Sequence, residues 1–184
     1  MKAISTTIPG VFLFEPTVFE DPRGCFFESY REDVLQSCGI NARFVQENQS
    51  KSRLGVVRGL HYQLRNPQGK LCRVVSGAVL DVAVDIRIGS PTFGQHVKAI
   101  LSSANRLQLF VPRGFAHGML SLTDEAEFLY KCDDVYHGDD CRGIAWNDPT
   151  FGIDWGVGDP TLSPADAILP RITDLDSGDL PAYV

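Results

Sequence analysis

Glycine and proline punctuate this chain from end to end. Seventeen glycines and eleven prolines are spread along 184 residues with no linker-like tract and no fixed repeat. They cut the sequence into short runs rich in β-branched and aromatic residues: Val11–Phe14, Arg43–Gln46, Val56–Leu60, Leu71–Val75, Ala78–Asp85, Val97–Leu101, Leu107–Val111, Met119–Leu122 and Glu127–Cys132. Many short strands separated by turn residues predict a sandwich or barrel rather than a helical or alternating α/β fold. Ala78–Ile86 is the most legible run. Ala78, Leu80, Val82, Val84 and Ile86 share one face at period two, whereas Asp81, Ala83 and Asp85 share the other. If the apolar face meets the core between sheets, the two aspartates point to solvent or into a polar interior. One helix is expected at Glu32–Cys38, with Asp33 near its start and Gly39 placed for a left-handed cap. A short turn is expected at Pro164–Ile168 within a Pro-, Asp- and Ser-rich tail. A single all-β domain spanning residues 1–184, with a coil-rich C-terminal segment, is the simplest organisation.

Charge narrows the function classes. Seventeen basic against 23 acidic side chains give a net charge of −6, and no Lys/Arg cluster offers the continuous basic surface that nucleic acid or an anionic membrane requires. No apolar run approaches the roughly 20 residues that span a bilayer. Met1–Thr7 has no apolar stretch of the secretory kind, so a cytoplasmic location is expected. Cys25, Cys38, Cys72, Cys132 and Cys141 are odd in number and scattered, which suggests neither a disulfide framework nor a zinc knuckle.

Two of the four histidines invite chemistry. His96 and His137 fall at a strand start and in a polar turn, where solvation accounts for them. His61 ends an apolar strand three residues after Arg58. These two would face opposite sides unless the intervening Gly59 makes a bulge, which would aim both into one site. His117 ends Pro112-Arg113-Gly114-Phe115-Ala116-His117, which resembles the second signature of the cupin jelly rolls, in which a turn brings the histidine to the barrel mouth. The first signature of metal-binding cupins needs a second histidine and a glutamate near His61, but Tyr62 and Gln63 follow it. With too few ligands for a transition metal, no metal is expected.

A more specific resemblance rests on motifs in one order: Asp21-Pro22-Arg23-Gly24-Cys25-Phe26-Phe27-Glu28, Phe44 to Ser50, Arg58-Gly59-Leu60-His61, Gln68-Gly69-Lys70-Leu71, Gly89 to Gly94, Gly114 to Gly118, Phe128-Leu129-Tyr130-Lys131 and Trp146-Asn147-Asp148-Pro149. From about Ile8 to Pro170 the chain resembles the dTDP-4-dehydrorhamnose 3,5-epimerases. The resemblance implies a cupin-like jelly roll, a dTDP-linked 4-keto-6-deoxyhexose substrate, no cofactor, and inversion of the two carbons flanking the ketone, in the supply of L-rhamnose for polysaccharide. It further implies a homodimer in which an N-terminal strand is donated to the neighbour's sheet. Such chemistry needs a base on one face of the sugar, an acid on the other and positive charge near the developing enolate.

By that resemblance His61 is the base, Asp166 the carboxylate that orients it, Tyr130 the proton donor and Lys70 the cation at the keto oxygen. Arg23, Glu28, Gln46, Asn48, Arg58 and His117 are substrate-binding residues, with Arg23 and Arg58 assigned to the diphosphate. Phe26 or Phe27 is a candidate to stack on the base, and Tyr136 rivals Tyr130. An Asp81–His117 pairing is a further expectation. Two positions depart from the family pattern: Cys141 stands where a glutamate is usual, and Ala165 where a lysine or arginine is usual. Both concern the nucleotide end, where His137 or Arg142 is placed to compensate. Relatives that invert one carbon, or act on another nucleotide ketosugar, share the base. A non-catalytic sugar-nucleotide-binding cupin is the rival from a different class.

Overall fold

The structure, a computed structural model, describes residues 1–183. Thirteen strands are formed among them: β1 (Lys2–Ser5), β2 (Phe12–Glu15), β3 (Val18–Asp21), β4 (Gly24–Phe27), β5 (Gln46–Arg53), β6 (Val57–Gln63), β7 (Lys70–Ser76), β8 (Ala78–Asp85), β9 (His96–Ser102), β10 (Gln108–Val111), β11 (Phe115–Ser121), β12 (Glu125–Cys132) and β13 (Cys141–Gly143). One helix, α1 (Glu32–Ser37), follows β4. A six-stranded sheet in the order β1-β2-β10-β7-β12-β5 faces a five-stranded sheet in the order β13-β6-β11-β8-β9, and β3–β4 forms a separate hairpin. Strands distant in sequence lie side by side in both sheets, every named ladder is antiparallel, and the result is a cupin-like jelly roll.

Three apolar layers hold it together. Between the sheets, Val74, Leu109 and Phe128 of one meet Val79, Leu101 and Met119 of the other. Outside the six-stranded sheet, Leu35 of α1 packs on Phe14, Leu71 and Phe110. Outside the five-stranded sheet, the C-terminal coil brings Ile144, Phe151, Trp155 and Ile172 onto Val57, Leu60, Val82 and Val84. Burying one such side chain contributes about 1.5–3 kcal/mol, so this coil is a structural layer although it lacks regular strands. The tail is also pinned by hydrogen bonds: Tyr62 donates to the Asp179 carbonyl at 2.8 Å, and the Ile172 amide donates to Asp148 Oδ2 at 2.6 Å.

The C-terminal layer changes the reading of β8. Its strictly apolar face packs under the coil, and its other face, carrying Val79, Asp81 and Ala83, looks between the sheets. Asp81 and Asp85 are both fully buried, so the solvent alternative is excluded. Asp85 is held at about 2: burial would raise it, but hydrogen bonds from Arg87, Ser90 and Thr92 outweigh that.

Other boundaries also move. Residues 43–45 are coil and β5 begins at Gln46, while β11 begins at Phe115, which places His117 within a strand rather than on a turn. The strands β1, β3, β4 and β13 had no strong alternating pattern to announce them. His96 does begin a strand, but it is partly buried, and burial lowers its pKa. The helix ends as expected, with Gly39 at φ +79°. The strand expected at Val11–Phe14 runs over Phe12–Glu15 and lies between β1 and β10 of its own chain, so both its edges are occupied.

Candidate active site

A cavity of about 440 Å³ opens between the sheets. The register explains what enters it. In the β6–β11 ladder His61 lies opposite His117, but Met119 lies opposite Arg58, so β6 carries one extra residue between Arg58 and His61. This is the bulge expected at Gly59, and it turns Arg58 and His61 to the same side; both line the cavity. Gly59 has φ +114°, and a Cβ there would lie 2.6 Å from the His117 carbonyl oxygen and 2.7 Å from Gly118 Cα. Only glycine suits that position.

The five-stranded sheet thus supplies His61, Arg58 and His117. The facing sheet supplies Lys70 from the start of β7 and Tyr130 from β12. Asp166 arrives from a 3-10 turn over Asp166–Ile168. Its Oδ1 lies 2.6 Å from His61 Nε2, and the carboxylate is nearly buried whereas the imidazole is 40% exposed at the cavity. Burial alone would raise the Asp166 pKa, but the His61 hydrogen bond and charge, with help from Ser163 and the Gly59 amide, hold it below its usual value. With Nε2 engaged, Nδ1 is the nitrogen left to accept a proton.

The Tyr130 phenol is pushed up to about 12, chiefly by burial and then by the neighbouring thiols Cys132 and Cys72; Asn48 and Arg58 pull weakly the other way. It is a neutral acid at any working pH. Lys70 Nζ sits 5.9 Å from the Tyr130 ring centre and has no carboxylate partner among the described residues. Arg58 is steadied by its Nε donating to Ser52 Oγ at 3.0 Å. His117 is nearly buried, with Nε2 2.7 Å from Asp81 Oδ1, which bears out that pairing.

Gln46 and Asn48 are not among the residues that line the cavity. Gln46 Nε2 donates to Asn48 Oδ1 at 3.0 Å, and Gln46 Oε1 accepts the Tyr136 amide at 2.8 Å, fixing Tyr136 at the cavity rim. Arg23 and Glu28 are not brought to the cavity of their own chain. Arg23 is at the tip of the β3–β4 hairpin, 90% exposed and paired with Asp21, and Glu28 lies near Arg31. Phe26 is likewise on the hairpin and 71% exposed.

Cys141 and Ala165 both line the cavity, and neither His137 nor Arg142 does. Arg142 Nη1 instead donates to the Asp139 and Cys141 carbonyls. Sequence reading did not single out Ser50, Met119, Phe128 or Ser163, which also line the cavity. For Ser50 the period-two pattern through Gln46 and Asn48 carried the signal.

The family model for dTDP-4-dehydrorhamnose 3,5-epimerase matches residues 5–174. A dTDP-4-dehydrorhamnose 3,5-epimerase of Pseudomonas aeruginosa is 52% identical over 178 residues, covering 96% of this chain and 98% of that one. Among solved structures, a dTDP-6-deoxy-D-glucose-3,5-epimerase from Legionella pneumophila in complex with dTDP-4-keto-L-rhamnose superposes with a TM-score of 0.96 at 46% identity, covering 100% of this chain and 98% of that one. A 3'-monoepimerase from Streptomyces bikiniensis in complex with dTDP-quinovose gives 0.90 at 33% identity, covering 97% and 92%.

Proposed function

Since the chain belongs to the dTDP-4-dehydrorhamnose 3,5-epimerase family, we propose how its own residues perform that family's reaction. The protein is an epimerase of dTDP-rhamnose biosynthesis, converting dTDP-4-dehydro-6-deoxy-D-glucose to dTDP-4-dehydro-L-rhamnose. Both carbons to be inverted are alpha to the ketone, so removal of either proton gives an enolate, and inversion follows if a proton returns to the opposite face.

The observation that carries the assignment is the placement of His61 and Tyr130 on facing sheets of one cavity. His61 Nδ1 takes the proton, Asp166 stabilises the imidazolium, and Tyr130 delivers a proton from the far wall. Lys70 supplies positive charge to the enolate oxygen without needing to transfer a proton. Arg58 and His117 hold the substrate, and Gln46 and Asn48 position Tyr136 and Tyr130. No cofactor enters the scheme, because the ketone itself acidifies both carbons.

We further propose a homodimer. The β3–β4 hairpin exposes Phe19 (63%) and Phe26 (71%) together with Arg23, an apolar and cationic pairing suited to a base and a diphosphate. Laid against a second copy, it would bring Arg23 and Glu28 to that copy's nucleotide end. A sedimentation mass near that of a single 20.3 kDa chain would contradict this.

The reaction is tested by incubating the substrate with the enzyme in heavy water. Deuterium at both flanking carbons is expected; deuterium at one carbon identifies a monoepimerase, and none at either identifies a binding protein.

A further inference from the structure

His117 shares its Nε2 with two other buried groups, Cys72 and Asp81, neither of which takes part in the reaction scheme. Nε2 lies 2.7 Å from Asp81 Oδ1 and 3.7 Å from Cys72 Sγ, and all three donor atoms lie within 4.8 Å of one another. Cys72 and Asp81 are fully buried and His117 is 7% exposed. The second carboxylate oxygen, Asp81 Oδ2, is buried with no hydrogen-bond partner among the described residues. A buried carboxylate oxygen left in this way is costly unless something positive can reach it.

We propose that Cys72, Asp81 and His117 form a site for a thiophilic divalent cation such as Zn²⁺, and that its occupation blocks the epimerase. Thiolate, imidazole and carboxylate are the three donor types that zinc prefers. Bond lengths near 2.0 Å to nitrogen and 2.3 Å to sulfur in a tetrahedron place N and S about 3.5 Å apart, close to the spacing present. The His117–Asp81 separation must open by roughly half an ångström, and Oδ2 gives the carboxylate a second oxygen with which to do so.

On binding, the Cys72 thiol proton and any proton held between Nε2 and Oδ1 leave to solvent. Thiolate, carboxylate and a divalent cation then sum to zero charge, as a buried site requires. Three protein ligands leave the fourth position open. His117 lines the cavity, and a cation that takes Nε2 from Asp81 shifts the ring and fixes a proton on Nδ1, which changes the contact proposed with substrate. The inhibition rests on that reading; the binding does not.

The direct test uses Co²⁺ as a spectroscopic stand-in with the full chain under reducing conditions. The wild type is expected to take up one equivalent, with thiolate-to-cobalt charge-transfer absorption that Zn²⁺ abolishes. Loss of an outer-shell partner costs about 10–100-fold in affinity, so losing the thiolate in Cys72→Val is expected to cost about 100-fold or more and to remove the band. Cys72→Ala repeats the test should valine disturb the packing. Absence of the band in the wild type, or its persistence in both variants, would overturn the site. In the epimerase assay, zinc that saturates the site should silence the wild type and spare Cys72→Val; equal loss in both would overturn the inhibitory role independently of metal uptake.

Discussion

His61 Nε2 and Asp166 Oδ1 meet at 2.6 Å across 105 residues of sequence, the imidazole facing the cavity and the carboxylate buried behind it. The bond fixes which nitrogen is free. Asp166→Asn keeps the shape but removes the charge that stabilises the imidazolium and can favour the wrong tautomer. Turnover is expected to fall by about 10²–10⁴ with little change in affinity for dTDP. Steady-state rates combined with calorimetric dTDP binding check this; a matching loss of affinity would contradict it.

Lys70→Met tests charge at the enolate. The side chain keeps its unbranched apolar stem and loses its ammonium, and kcat is expected to drop by about 10²–10³. An effect confined to KM would assign Lys70 to ground-state binding instead.

The pH dependence follows from two shifts of opposite sign. Asp166 has a folded-state pKa below 3.8. Its stabilising contribution is therefore complete above the unfolded value and is lost as pH falls through the lower, folded one. Tyr130, raised from 10.0 to about 12, contributes stability that is complete below 10 and is lost as pH rises through the folded value. The rate should show no limb from phenol ionisation between pH 8 and about 10.5. Ultraviolet phenolate titration of wild type against Tyr130→Phe locates the missing transition. A tyrosine titrating near 10 that vanishes in the variant would contradict the burial argument.

Gly59→Ala tests the bulge. Positive φ costs an L-residue about 1–3 kcal/mol, and the 2.6 Å clash with the His117 carbonyl adds overpacking of similar size. At about 2–4 °C per kcal/mol for a chain of this size, the midpoint should fall by on the order of 5–25 °C. Activity should fall further than stability explains, because His61 and His117 sit on the two backbones being forced apart. A variant with wild-type midpoint and rate would show that the close approach is unnecessary.

The strongest local patterns were the most legible in the sequence. β8 stood out through its alternation, and Gly59 through the conflict between Arg58 and His61 that only a bulge resolves. The facing of β8 was not legible, since an irregular C-terminal coil supplies the apolar layer and coil has no periodicity to read. His117 looked like a turn residue because Pro112 and Gly114 precede it, but the strand begins at Phe115. Asp166 could be assigned only through family resemblance, as nothing local ties a 3-10 turn in the tail to a strand more than a hundred residues earlier. Nothing local distinguishes Cys72 from the other scattered cysteines, and only the fold sets it beside His117 and Asp81.

A base on one wall and an acid on the other make proton exchange separable from inversion. In heavy water, Tyr130→Phe should still wash deuterium into the carbons flanking the ketone, because His61 can remove and return protons on one face, while inversion falls by about 10²–10⁴. His61→Ala should lose exchange and inversion together. Exchange at the wild-type rate in His61→Ala, or undiminished inversion in Tyr130→Phe, would contradict the two-wall mechanism.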